Sequence, residues 1–125
     1  MKNGILKLIS ELINSAASGR HSGKGHKLIR QGKYEDALRH YSLALQYEIR
    51  GKLGPNPATL ECLARTHARL GNTEQALSAA EESYALYKAL NTLKDSTPKS
   101  MARMERFLAA LKTGNEKELN KLLSI

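Results

Sequence analysis

The chain has 125 residues, with 20 Lys and Arg against 12 Asp and Glu, for a formal charge of +8. That length carries one domain around one core, and the single cysteine, Cys62, excludes an internal disulfide framework and fits a reducing compartment. No stretch approaches the roughly 18 consecutive apolar residues of a membrane span, so the expectation is a cytoplasmic protein whose partners are acidic: nucleic acid, an acidic peptide or an anionic membrane.

The opening "MKNGILKLISELINSAAS" has one lysine ahead of apolar residues, as a signal peptide does, but Lys7 and Glu11 interrupt it at helical spacing. An amphipathic helix from Lys2 to Ala17 is therefore predicted, with Ile5, Leu8, Ile9, Leu12, Ile13 and Ala16 as its apolar stripe. Next comes "GRHSGKGH", Gly19–His26, which has glycines before a lysine as a phosphate-binding loop does. The motif needs four residues before its Gly-Lys pair, a Ser or Thr after the lysine and a strand in front. Here three intervene, Gly25 follows Lys24, and a helix precedes, so phosphate cradling is set aside. Three glycines weaken a helix by about 1 kcal/mol each relative to alanine. They predict a loosened joint, with regular helix only from about Gly23 and Ser22 as a cap. Arg20, Lys24, Lys27, Arg30 and Lys33 follow one another with no acid among them, a basic patch.

Further along, apolar residues recur at three- and four-residue steps: Ala37, Leu38, Tyr41, Ala44, Leu45; Leu60, Leu63, Ala64, His67, Leu70; Ala76, Leu77, Ala80, Tyr84, Tyr87; Met101, Met104, Leu108, Leu111; Leu119, Leu122, Leu123. That period predicts an all-α protein. Gly32, Gly71 and Gly114 each follow one helical stretch and precede another, as left-handed caps do, with Asn72 and Asn115 placed to cap the next helix. Longer breaks are expected at Gly54–Thr59, with Pro57 in a first turn, and at Asp95–Ser100, with Pro98.

Aligned on Gly32 and Gly71, "LIRQGKYEDALRHYSLAL" and "HARLGNTEQALSAAEESY" bring Ala37 onto Ala76 and Leu38 onto Leu77. The three turn glycines lie 39 and 43 residues apart, a repeat of helical pairs that predicts an α-solenoid. These residues resemble the tetratricopeptide repeat family, whose unit of about 34 residues is an antiparallel helix pair. Gly25, Leu28, Gly32, Tyr34, Ala37, Tyr41 and Ala44 match in a first repeat over 18–51; Leu60, Leu63, Ala64, Gly71, Ala76 and Ala80 match in a second over 57–90. Ser83 replaces the usual late alanine, and the wide spacing is similar to the longer repeats of kinesin light chains. A degenerate third repeat, 98–125, has Leu119 at the close crossing. Residues 1–17 would cap the other end of a single domain of about seven helices.

The resemblance implies a concave groove lined by the first helix of each repeat: Ser22, His26, Ile29 and Arg30; then Ala58, Glu61, Cys62, Arg65, Ala68 and Arg69; then Met101, Met104, Glu105 and Leu108. Arg30, Arg65 and Arg69 would grip carboxylates bidentately, unless they are solvated or paired with Glu61 and Glu105. The apolar third of the groove would take either the last helix of the chain, a partner helix or a second copy. The positions at which the family's chaperone adaptors clamp a terminal carboxylate hold Ser22, His26, Cys62, Met101 and Glu105, which disfavours that role.

Catalytic groups are few. His21 and His26 are five apart, off the four-residue step of a helical metal pair. Cys62 has no histidine at motif spacing, and His67, Tyr34, Tyr41, Tyr84 and Tyr87 fall where helices pack. The expectation is a non-enzymatic adaptor without cofactor or metal, binding an acidic peptide or an amphipathic helix through His26, Arg30, Glu61, Arg65, Arg69, Met101, Met104 and Glu105. Two alternatives stay open. One is a nucleic-acid-associated protein using Arg20, Lys24, Lys27 and Lys33, and the other is a self-assembling homodimer.

Overall fold

The structure is a computed structural model and describes residues 2–91 and 98–124. Those residues form six α-helices and no strand: α1 (Lys2–Arg30), α2 (Tyr34–Arg50), α3 (Pro57–Arg69), α4 (Thr73–Asn91), α5 (Pro98–Thr113) and α6 (Glu116–Leu123). Each helix packs on the next in the chain, and the α1–α2 and α3–α4 pairs are the most extensive contacts. The turns follow local chemistry. Gly32 and Gly71 have φ of 75° and 79°, the left-handed conformation that L side chains resist. Pro57 opens α3 behind Asn56, whose side chain accepts from the Ala58 N–H, and Asn115 caps α6 by accepting from the Glu118 N–H. The Asn72 side-chain amide pairs with His67 Nδ1 at 3.3 Å. Pro98 opens α5 as predicted, while residues 95–97 of the second expected break lie outside the described residues.

Small residues bring the pairs together. Ala37, Ala44, Ala64, Ala76 and Ala80 are completely buried, and Gly25 passes so close to Tyr41 that a Cβ there would lie 2.6 Å from a ring carbon. Ser83, at the position where alanine was expected, is buried and donates to the Pro57 carbonyl at 2.8 Å, so its hydroxyl is satisfied by the start of α3. The larger core cluster joins Tyr87 of α4 to Met104, Phe107, Leu108 and Leu111 of α5 and Leu122 of α6. A smaller cluster joins Ala37, Tyr41 and Leu63 with Leu28 and Ile29 against them.

Two expectations for the N-terminal part are corrected. The described residues hold six helices, not about seven, because α1 runs unbroken through Gly19, Gly23 and Gly25 with no cap at Ser22. Glycine weakens a helix without ending it, and the burial of Ala17, Ser18 and Gly25 against the next elements outweighs that loss. The apolar stripe of α1 does not hide a solenoid end either: Ile5, Leu8, Ile9, Leu12 and Ile13 are each 46% to 62% exposed. In one straight helix the second half sets the phase, and it turns the stripe away from α2.

Candidate functional site

Arg65 and Arg69, both predicted to face a groove, stand one turn apart on α3. Their Nη2 groups donate to the main-chain carbonyls of Leu122 (2.9 Å) and Leu123, at the C-terminus of α6. The last carbonyls of a helix have no intrahelical donor and carry the negative end of its dipole, so two guanidiniums there are complementary in charge and in hydrogen bonding. Glu116 and Glu118 in the first turn of α6 complement the other end. Arg65 is half-buried; burial, and then the neighbouring charge of Arg69, pull its pKa below the usual guanidinium value. The Arg69 guanidinium also lies 5.7 Å over the Tyr34 ring, which fixes its direction from the α2 side.

The apolar third of the predicted groove is filled from within the chain. Leu122 is buried, and Leu119 and Leu123 pack on the cluster of Met104, Phe107, Leu108 and Leu111, with Met101 half-buried beside them. Arg106 of α5 adds a 3.1 Å ion pair to Glu118. Of the three occupants considered for this part of the groove, the last helix is the one seated there.

The remaining predicted residues are divided. Glu61 is buried, not groove-facing. Its Oε1 accepts from the Tyr87 hydroxyl (2.9 Å) and from Arg103 Nη2 (2.8 Å), and its Oε2 accepts from Arg103 Nε (2.6 Å). Burial, and then the Glu61 charge, push the Tyr87 phenol up to about 12. Glu105 is exposed and accepts from the Tyr84 hydroxyl at 2.7 Å. Neither carboxylate pairs with Arg65 or Arg69. His26 is exposed, and its Nδ1 shares a 2.7 Å hydrogen bond with the Tyr41 hydroxyl; Arg30 is exposed and forms no ion pair among the described residues. Cys62 lies half-buried between these groups and the arginines, and burial, followed by the Glu61 charge, raises its thiol pKa. Arg20, Lys24, Lys27 and Lys33 are all exposed along or just after α1.

Sequence reasoning missed Arg103, which pairs with a residue 42 positions away and has no local signature. It also missed Glu48. That carboxylate accepts from the Ser18 hydroxyl, the Thr59 hydroxyl and the Asn56 N–H, and so joins α1, α2 and the start of α3. Glu48 borders a cleft of about 610 Å³ with Glu11, Tyr47, Leu53, Tyr87 and Leu90. Both acids of the cleft are already engaged, Glu11 by the Lys52 N–H. Among the described residues, no cluster of three or more His, Cys, Asp or Glu is arranged to hold a metal, and no helix is long and apolar enough to cross a membrane. Comparison with protein-family models, with curated proteins and with solved structures returns no match, so the reading of this site rests on the chain's own residues.

Proposed function

We propose that the chain is a short, tetratricopeptide-like stack of helix hairpins acting as a non-enzymatic interaction module. Its α3–α5 face binds an amphipathic helix whose carboxyl end, or an acidic side chain near it, faces Arg65 and Arg69. One observation carries this reading. α6 lies on that face as an internal ligand, its leucines on α5 and its last carbonyls on the two arginines. An apolar seat for one helix face, with cations aimed at the helix C-terminus, is the chemistry of helix-in-groove recognition.

On this reading a partner helix competes with α6, whose tethering gives it an effective concentration in the millimolar range. The test is fluorescence anisotropy with a labelled peptide copying residues 114–125, against the intact chain and against Leu122→Ser, which loosens α6. The peptide is expected to bind the Leu122→Ser chain at least about tenfold more tightly than the intact chain. Adding Arg65→Glu and Arg69→Glu is expected to remove binding while helicity persists. Equal binding by all these chains rejects the reading.

A further inference from the structure

We infer that the outward face of α1 is a docking surface for an anionic lipid membrane, on which the helix lies flat with the rest of the fold above it. This inference uses the outward face of α1 and does not depend on the proposed peptide groove.

At about 100° per residue, the residues of α1 that meet the rest of the fold (Asn14, Ala17, Ser18, His21, Gly25 and Leu28) cluster on one side, and all are buried or half-buried. On the opposite side, Ile5, Leu6, Leu8, Ile9, Leu12 and Ile13 fall in one sector about 160° wide. Each is between 46% and 64% exposed. Continuing along the helix, Arg20, Lys24, Lys27 and Arg30 fall in that same sector, all exposed and none in an ion pair among the described residues. The 29-residue helix, about 43 Å long, thus presents one unbroken face that is aliphatic over its first half and cationic over its second.

What covers such a face is decided by charge. Glu11 is the one acid within α1, and it points inward, accepting from the Lys52 N–H at 2.9 Å and 3.0 Å. The outward sector holds no acid at all. A second copy would bring the same cations to the same surface, and nucleic acid would meet the cations but leave six aliphatic side chains in water. An interface of acyl chains below anionic headgroups satisfies both halves, since interfacial helices bury an apolar face at the headgroup boundary and add electrostatic attraction for each nearby Lys or Arg. The polar side of the first half (Asn3, Lys7, Ser10, Asn14) lies toward the same side as the other helices, so α1 can lie in the plane without a clash from them.

The test is flotation of the full chain with vesicles of phosphatidylcholine mixed with phosphatidylserine, and with phosphatidylcholine alone. Binding is expected to the mixed vesicles, at least about tenfold weaker to the neutral ones, and to fall as salt is raised. Leu8→Ser with Leu12→Ser, and separately Lys24→Glu with Lys27→Glu, are each expected to weaken it at least about tenfold. All four residues are exposed, so unchanged thermal melting checks that the fold is intact. The same leucine pair is expected to leave peptide binding at Arg65 and Arg69 untouched, and the arginine reversal to leave flotation untouched, so the two readings fail separately. Intact chain that does not float with the mixed vesicles overturns the inference, whether or not it retards DNA. So does flotation that ignores the leucine pair, or a lipid-free dimer that the leucine pair converts to monomer in light scattering.

Discussion

Glu61→Ala is expected to lower stability by about 3 kcal/mol, read as a fall in melting temperature of roughly 10 °C or more for a chain of this size. Glu61 is 7% exposed, and its carboxylate gathers three donor contacts from two other helices: Tyr87 of α4, and Arg103 of α5 in a bidentate pair. Without it, the Tyr87 hydroxyl is left in a buried setting with its acceptor gone, a loss of about 1–3 kcal/mol. Arg103 loses its partner as well, but its side chain is 40% exposed and can rehydrate, so the full penalty of an abandoned buried charge does not apply. Glu61→Gln keeps the acceptor for Tyr87 and is expected to cost less than the alanine. A Glu61→Leu, Arg103→Leu pair is expected to recover part of the loss, because it removes both charges at once. Circular dichroism melts of the four chains measure this order; an alanine variant within about 0.5 kcal/mol of the parent would show that the network does not fasten α3 to α4 and α5.

The glycines of α1 are expected to respond with opposite signs. Gly25→Val places side-chain carbon where the Tyr41 ring already sits, since even a Cβ would be 2.6 Å to 2.8 Å from three ring atoms. That ring is 2% exposed and its hydroxyl is held by His26 Nδ1, so it cannot swing aside cheaply. The expected loss is about 2–3 kcal/mol, in the range of core overpacking and only slightly offset by the better helix propensity of the new residue. Gly23→Ala, two residues earlier, meets nothing within 4 Å and is expected to stabilise by about 0.5–1 kcal/mol. Urea titration of both variants gives the two signs. Equal effects would mean that α1 does not pass close over Tyr41.

Those glycines also show what the amino-acid sequence could reveal and what it could not. Gly32 and Gly71 were legible as turns because the requirement is local: a left-handed residue between two periodic stretches. Ala37 and Ala76 were legible as sites of close packing because small residues recurred at one offset from those turns, and both are completely buried. Gly19, Gly23 and Gly25 carry the same local signal without a turn, and only the packing of Ala17, Ser18 and Gly25 makes them helix interior. The stripe from Ile5 to Ile13 announced an amphipathic face, yet periodicity does not say which way a face points. That depended on the phase inherited from the second half of α1.

The candidate site divides in the same way. Arg65 and Arg69 were readable as two cations on one helical face, four residues apart. That they meet carbonyls 57 and 54 residues further on was not, because the contact depends on where α6 returns in space. Glu61 was read as groove-facing from its repeat position and is instead drawn under α5 by Arg103, a long-range pairing with no trace in local spacing. Met101, Met104 and Leu108 were readable as an apolar seat, and the leucines of α6 fill it.

The central claim is that Arg65 and Arg69 hold the C-terminus of a helix on the α3–α5 face. Amide hydrogen exchange in the intact chain and in its Arg65→Glu, Arg69→Glu variant measures this directly. Each arginine gives a charge-assisted hydrogen bond to an otherwise unsatisfied carbonyl, so losing both is predicted to cut the protection of α6 by about a hundredfold while α1 to α4 keep theirs. Undiminished protection of α6 in the variant, or an equal loss along the whole chain, would contradict it.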